Sequence, residues 1–180
     1  MFCHLNYSID KNFFRNQFWK KYDNGFWHVE KGKELKFWWK VFGIRDIIFP
    51  IISDLGLENM NIHPRFSYQL KNTRLPDHID IDRIVGINFN LQPETPSIHL
   101  KGKEYPYECC LVDVGSILHS VEPAQFPRLV LKLAIREKWA DIYKILDEKG
   151  LIDHNETEKI NPTYKTYNSL LSEQDKMFIK

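Results

Sequence analysis

A mainly β fold with flanking helices, an α+β jelly roll or barrel, is what this sequence predicts. Three observations carry it: short alternating segments from Asn61 to Ile135, turn residues between them, and apolar stripes of helical period on either side. Phe66, Tyr68 and Leu70 alternate with Ser67 and Gln69, as a half-buried strand requires. Ile84 to Leu91 alternates again, Ser97 to Leu100 is a third strand, and Lys101-Gly102-Lys103 reads as the hairpin turn that follows it. Glu108 to Val114 and Arg128 to Ile135 complete the β-rich middle of the chain.

The flanks have a different texture. Between about Asp10 and Leu57, Phe13, Phe14, Phe18, Trp38, Trp39 and Phe42 recur at spacings that suit one helix face, so helices are expected to pack on the sheet here. Ile47 to Ile52 followed by Gly56 reads as a buried segment ended by a turn. Beyond Ile135, Trp139, Ile142, Tyr143, Ile145 and Leu146 form a helical stripe, with Gly150 as terminator. The expected organisation is one domain over 1–180: a helical and loop part (1–60), a β core (61–135), a helix (136–150) and a polar tail (151–180) with a short helix near Leu170.

A chain of 180 residues can bury a stable core without cross-links. A formal charge of +1 provides no global field toward nucleic acid or anionic membrane, and neither partner is expected. Cations and aromatics do mix at Trp19-Lys20-Lys21 and over 33–40, the texture of a base-stacking surface. Amphipathic core helices with solvated lysines are the preferred reading. The first residues lack a basic stretch followed by an apolar run, and no segment is long enough to span a bilayer, so a cytoplasmic protein is expected. Cys3, Cys109 and Cys110 fit no disulfide framework or zinc spacing and read as reduced thiols in strands. A Cys109 nucleophile with His119 as base is set aside on the same ground. Phosphate loops, serine-hydrolase elbows and His-Glu-x-x-His are absent from the sequence.

The informative segment is Leu75-Pro76-Asp77-His78-Ile79-Asp80-Ile81-Asp82-Arg83, followed by Ile117-Leu118-His119-Ser120-Val121 and Arg128. Residues two apart on a strand share a face, so His78 and Asp80 can converge on one ion. His119, after the Gly115 turn, can supply the third ligand from another strand. Two imidazoles and a carboxylate on one face of an octahedral ion leave three positions open, the arrangement of non-haem iron(II) oxygenases, which accept a bidentate 2-oxo acid and dioxygen. A distal carboxylate on that acid needs a fixed cation, and Arg128, at the start of the strand after His119, is placed to be it. Asn88 lies within an apolar strand, where an amide is costly to bury alone, so it is expected to face the cavity.

These residues resemble the 2-oxoglutarate/iron(II)-dependent oxygenases, and within them the aspartyl/asparaginyl β-hydroxylase-like branch with its small bacterial and phage relatives. The resemblance spans roughly Phe66 to Ile135, through Leu75 to Asp80 leading to Arg83, Gly86-Ile87-Asn88-Phe89-Asn90-Leu91, Val112 to Val121, and Arg128-Leu129-Val130-Leu131. It implies a double-stranded β-helix (cupin-like jelly roll) over 61–135, iron(II) on His78, Asp80 and His119, and 2-oxoglutarate anchored by Arg128. It also places Arg83 and Asn88 at positions such proteins devote to the co-substrate or the residues around it. Arg83 has an equal alternative, a surface pair with Asp80 or Asp82. Many members carry a serine two residues after the anchoring arginine; here it is Val130.

The expected function is therefore a 2-oxoglutarate-dependent dioxygenase, a hydroxylase acting on a small-molecule or peptidyl substrate. Its rivals are a non-catalytic cupin-like module that binds a metal or small acid, and an interaction module using the aromatic N-terminal part.

Overall fold

The computed structural model describes residues 1–29, 36–80, 83–94 and 97–157. In chain order the elements are β1 (Phe2–His4), α1 (Lys11–Lys20), β2 (Phe26–Val29), β3 (Lys36–Val41), α2 (Arg45–Asp54), β4 (Ile62–Gln69), β5 (Leu75–His78), β6 (Val85–Asn90), β7 (Ser97–Leu100), β8 (Lys103–Pro106), β9 (Cys109–Asp113), β10 (His119–Val121), β11 (Arg128–Ile135) and α3 (Trp139–Glu148). They form two antiparallel sheets, a seven-stranded one in the order β1-β9-β6-β11-β4-β3-β2 and a four-stranded one in the order β5-β10-β7-β8. This is the mainly β, jelly-roll architecture that the alternation predicts. Among the described residues no helix is long and apolar enough to cross a membrane.

Strand alternation divides the large sheet into two faces. Leu129, Leu131, Leu133 and Ile135 of β11, with Val85, Ile87 and Phe89 of β6, point outward into a core shared with Phe14 and Phe18 of α1, Ile48 and Ile52 of α2, and Trp139, Ile142 and Leu146 of α3. Asp10 caps α1 by accepting from the Phe13 amide at 2.9 Å. The opposite face looks toward the small sheet, where Phe2, Ile98, Leu100, Tyr105, Tyr107, Cys110, Val112, Val114 and Ile117 form a second apolar cluster. Ser67 and Gln69, the polar half of the β4 alternation, are each only 1% exposed. The strand is therefore buried on both faces, and its polar side looks inward.

The 101–102 turn is as expected: Leu100 pairs with Lys103, and both Lys101 and Gly102 take positive φ, the conformation of a two-residue primed turn. Gly150, at φ 68°, follows the closing helix. The helical reading of Trp38, Trp39 and Phe42 is corrected. Residues 36–41 are a strand, with Trp39 opposite Tyr68 of β4 and Trp27 of β2. A run of aromatics and valine suits the pleat of an edge hairpin as well as a helix face, and sheet pairing decides it. The 47–52 segment is helical, part of α2, with Pro50 inside it. The predicted tail helix near Leu170 and Asp82 lie outside the described residues.

Candidate metal centre

The centre is built from two short strands and a loop. β5 and β10 are antiparallel neighbours with His78 directly opposite His119, which brings their rings to 4.1 Å between centroids. Asp80 follows two residues after His78, and its amide donates to the Val114 carbonyl at 3.0 Å. Ligand atoms of His78, Asp80 and His119 all lie within 4.8 Å of one another. Nε2 of His78 is 3.6 Å from one carboxylate oxygen of Asp80, and Nε2 of His119 is 3.8 Å from the other.

Tautomers are set from behind. Nδ1 of His78 lies 2.8 Å from the Pro76 carbonyl, and Nδ1 of His119 lies 3.0 Å from that of Ile117. A carbonyl can only accept, so each Nδ1 carries the hydrogen and each Nε2 turns a lone pair toward Asp80. Burial lowers the pKa of both imidazoles, that of His119 to about 3. Burial opposes charge on Asp80, but the Arg83 guanidinium and the two imidazoles outweigh it and hold the carboxyl well below the usual range. Two neutral imidazoles and one ionised carboxylate form a donor set that fits a divalent first-row metal such as iron(II).

Arg83 donates from Nε to Asp80. It is buried, unlike the exposed pair considered from sequence. The loop that holds it depends on Gly115. A Cβ there would stand 2.8 Å from Ile84 Cα and 2.9 Å from the Arg83 carbonyl, so only glycine lets the 113–116 turn lie against this segment. Val114 and Gly115 both donate to the Ile84 carbonyl.

These residues open onto a cavity of about 190 Å³. One wall carries His78, Asp80 and His119, and the facing wall carries Asn88, Lys132, Arg65 and Lys40 from the large sheet. Asn88, Lys132 and Arg65 are cross-strand neighbours in register on β6, β11 and β4. Burial, then Arg83 and Arg65, holds the Lys132 ammonium well below its ordinary pKa.

The structure brings His78, Asp80, His119, Arg83 and Asn88 to one cavity, and it does not bring Arg128 there. Arg128 shares the inward face of β11 but lies four residues from Lys132, about 13 Å along a strand. Its Nη1 donates to the Ser97 carbonyl at 3.0 Å. Sequence reasoning passes over Lys132, although a lysine inside Leu129 to Ile135, an otherwise apolar run after Arg128, is the signal that would have found it.

Two solved structures share this architecture. A Pseudomonas putida prolyl-4-hydroxylase superposes with TM-score 0.52 over 72% of this chain and 89% of its own, at 14% identity. The DMSP lyase DddQ from Ruegeria pomeroyi DSS-3 gives 0.50 over 74% of this chain and 66% of its own, at 13% identity. The chain shares the fold of these two proteins, a jelly roll of two antiparallel sheets. No family model and no curated protein matches the sequence. At these identities the likeness concerns the fold, and within it the His-Asp-His cluster of this chain faces the space between the two sheets.

Proposed function

We propose that this chain is an iron(II)- and 2-oxoglutarate-dependent oxygenase of the hydroxylase type, acting on a small-molecule or peptidyl substrate. The observation that carries this reading is the convergence of His78, Asp80 and His119 on a cavity whose opposite wall is cationic. A site for a lone metal has no need of that wall, whereas a dicarboxylate with one end on the metal needs positive charge at the other. Iron(II), when bound, supplies dioxygen activation driven by oxidative decarboxylation of the 2-oxo acid.

The residues of the chain have separate tasks. His78, Asp80 and His119 hold the metal through two Nε2 atoms and a carboxylate oxygen. Arg83 keeps Asp80 ionised and fixed. Lys132 and Arg65 receive the distal carboxylate of 2-oxoglutarate, the role that sequence reasoning gives to Arg128. Ile98, Val114 and Val121 line the same cavity and limit the water that reaches it.

An anaerobic absorbance titration tests the reading, because an iron(II)–2-oxoglutarate chelate has a metal-to-ligand charge-transfer band. The band is expected in wild type and absent from His119→Ala. Lys132→Met should need at least about tenfold more 2-oxoglutarate, the scale of one charge-assisted pair, and Arg128→Ala no more than wild type. A folded, iron-bound protein without a band would leave the non-catalytic cupin-like module in its place.

A further inference from the structure

Two large apolar side chains stand exposed beside the cavity. Phe26 of β2 and Phe42, the residue after β3, are 53% and 40% exposed, and neither belongs to the apolar clusters of the core. Their rings stack on each other at 5.6 Å between centroids, with planes 11° apart.

Strand register ties this pair to the cavity wall. Phe26 stands opposite Lys40 in the β2–β3 pairing, so the two share a face, and Lys40 lines the cavity. On the other side the guanidinium carbon of Arg65 lies 6.0 Å from the centre of the Phe42 ring, and Arg65 lines the cavity as well. The two rings therefore form a shelf that continues the cationic wall toward the β2 edge of the large sheet.

The size of the cavity gives the shelf a use. At about 190 Å³ it is smaller than the roughly 300–1,000 Å³ of pockets that enclose a small-molecule ligand. With a 2-oxo diacid inside, a primary substrate has to lie on the rim and reach inward with one group.

Charge narrows the chemistry of that substrate. Among the described residues the lining carries four cations, Lys40, Arg65, Arg83 and Lys132, against two carboxylates, Asp77 and Asp80. A divalent metal and a dianionic 2-oxo acid cancel each other on arrival, so the loaded cavity keeps its positive excess, even with Lys132 neutral. Arg83 is paired with Asp80, and Arg65 and Lys132 face the distal carboxylate, which leaves Lys40 as the cation next to the shelf. One lysine matches a single carboxylate better than a phosphate dianion.

We propose that Phe26, Phe42 and Lys40 form the docking surface of the primary substrate, and that this substrate is a carboxylic acid whose carboxylate meets Lys40 while an apolar group lies on the two rings. Calling the occupant the primary substrate rests on the oxygenase reading; the shelf and its charge do not.

The test uses the full chain loaded with zinc(II) and 2-oxoglutarate, which cannot turn over, and follows the ring ¹³C–¹H resonances of Phe26 and Phe42, assigned with Phe26→Leu and Phe42→Leu. N-acetylphenylalanine, a ring with one carboxylate, is expected to shift both saturably, and its amide to bind about fivefold more weakly, the scale of one ion pair at a rim. Lys40→Gln should bring the acid down to the affinity of the amide. Phe42→Ser should weaken acid and amide alike by about tenfold, because it removes one ring from the contact. Displacement of the acid by 2-oxoglutarate would put it in the co-substrate's place, and tighter binding of phenyl phosphate would make the shelf a phosphate site. A dimer that Phe42→Ser dissociates in sedimentation would assign the shelf to a second copy of the chain, and rings that respond to no probe would leave it without a ligand; each of these overturns the proposal. Acid binding on the shelf of a protein that forms no charge-transfer band would sink the oxygenase reading and leave the shelf standing, while a normal band with unmoved rings would do the reverse.

Discussion

Asp80 lies between two imidazoles and a guanidinium, and this arrangement makes the metal-free protein sensitive to acid. Burial lowers His119 from 6.5 to about 3. Between those values the unfolded chain binds a proton that the folded chain refuses, so stability rises with pH across the window and is lost as pH falls below 6.5. His78 is lowered as well and acts in the same direction. The contribution of Asp80, whose folded value is depressed, is present above the ordinary carboxylate range and disappears as pH drops below it. Urea unfolding of the metal-free protein should therefore give about 2 kcal/mol less stability at pH 5 than at pH 7 from His119 alone. His119→Gln should lose that part of the difference, and a variant with the full wild-type dependence would show that His119 is not held neutral. At this scale His78-x-Asp80 is legible because a period of two needs no knowledge of partners. Lys132 is legible only as a lysine set in an apolar run, and its role is not, since that depends on which strand lies opposite.

Among the elements, two glycines separate local backbone strain from site geometry. Gly102 has positive φ and nothing within 4 Å of a built Cβ, so its cost is purely conformational. Gly102→Ala should lower stability by about 1 kcal/mol in urea unfolding and leave metal affinity unchanged. Gly115 has the opposite character, because a methyl there would press on the backbone of Arg83 and Ile84. Gly115→Ala should displace the segment that carries Asp80 and weaken zinc(II) binding by about tenfold or more in a competition titration, as loss of support around a metal ligand does. An unchanged affinity would show that the 113–116 turn does not position Asp80. β4, β6, β7, β9 and β11 are legible in sequence since alternation and turn residues are local signals, whereas the short strands β5 and β8 carry no apolar alternation. β3 is not legible, as Trp38, Trp39 and Phe42 suit a helix face as well as a strand until β2 and β4 pair with it.

At the scale of the molecule the two sheets are unequal in size and in security. β11 lies between β4 and β6 with nearly every residue buried. Among the described residues β5 pairs only with β10 at the edge of the small sheet, its residues are half-buried or exposed, and the β5–β10 register shifts between His119 and Val121. Local opening should start there, because few apolar contacts hold that edge. The candidate ligands straddle it: His78 and Asp80 on one side, His119 on the other. A metal bound only when β5 and β10 are paired stabilises that pairing by about 2.7 kcal/mol at a hundredfold excess over its dissociation constant. Hydrogen exchange should show the amides of Asp77 to Asp80 opening well before those of Leu129 to Leu133 in metal-free protein. Zinc(II) should then slow 77–80 and 119–121 by about a hundredfold under those conditions and leave β11 close to its original rate. Equal slowing in both sheets would mean that the metal acts on global unfolding. No slowing at the β5–β10 edge would remove the metal from His78, Asp80 and His119.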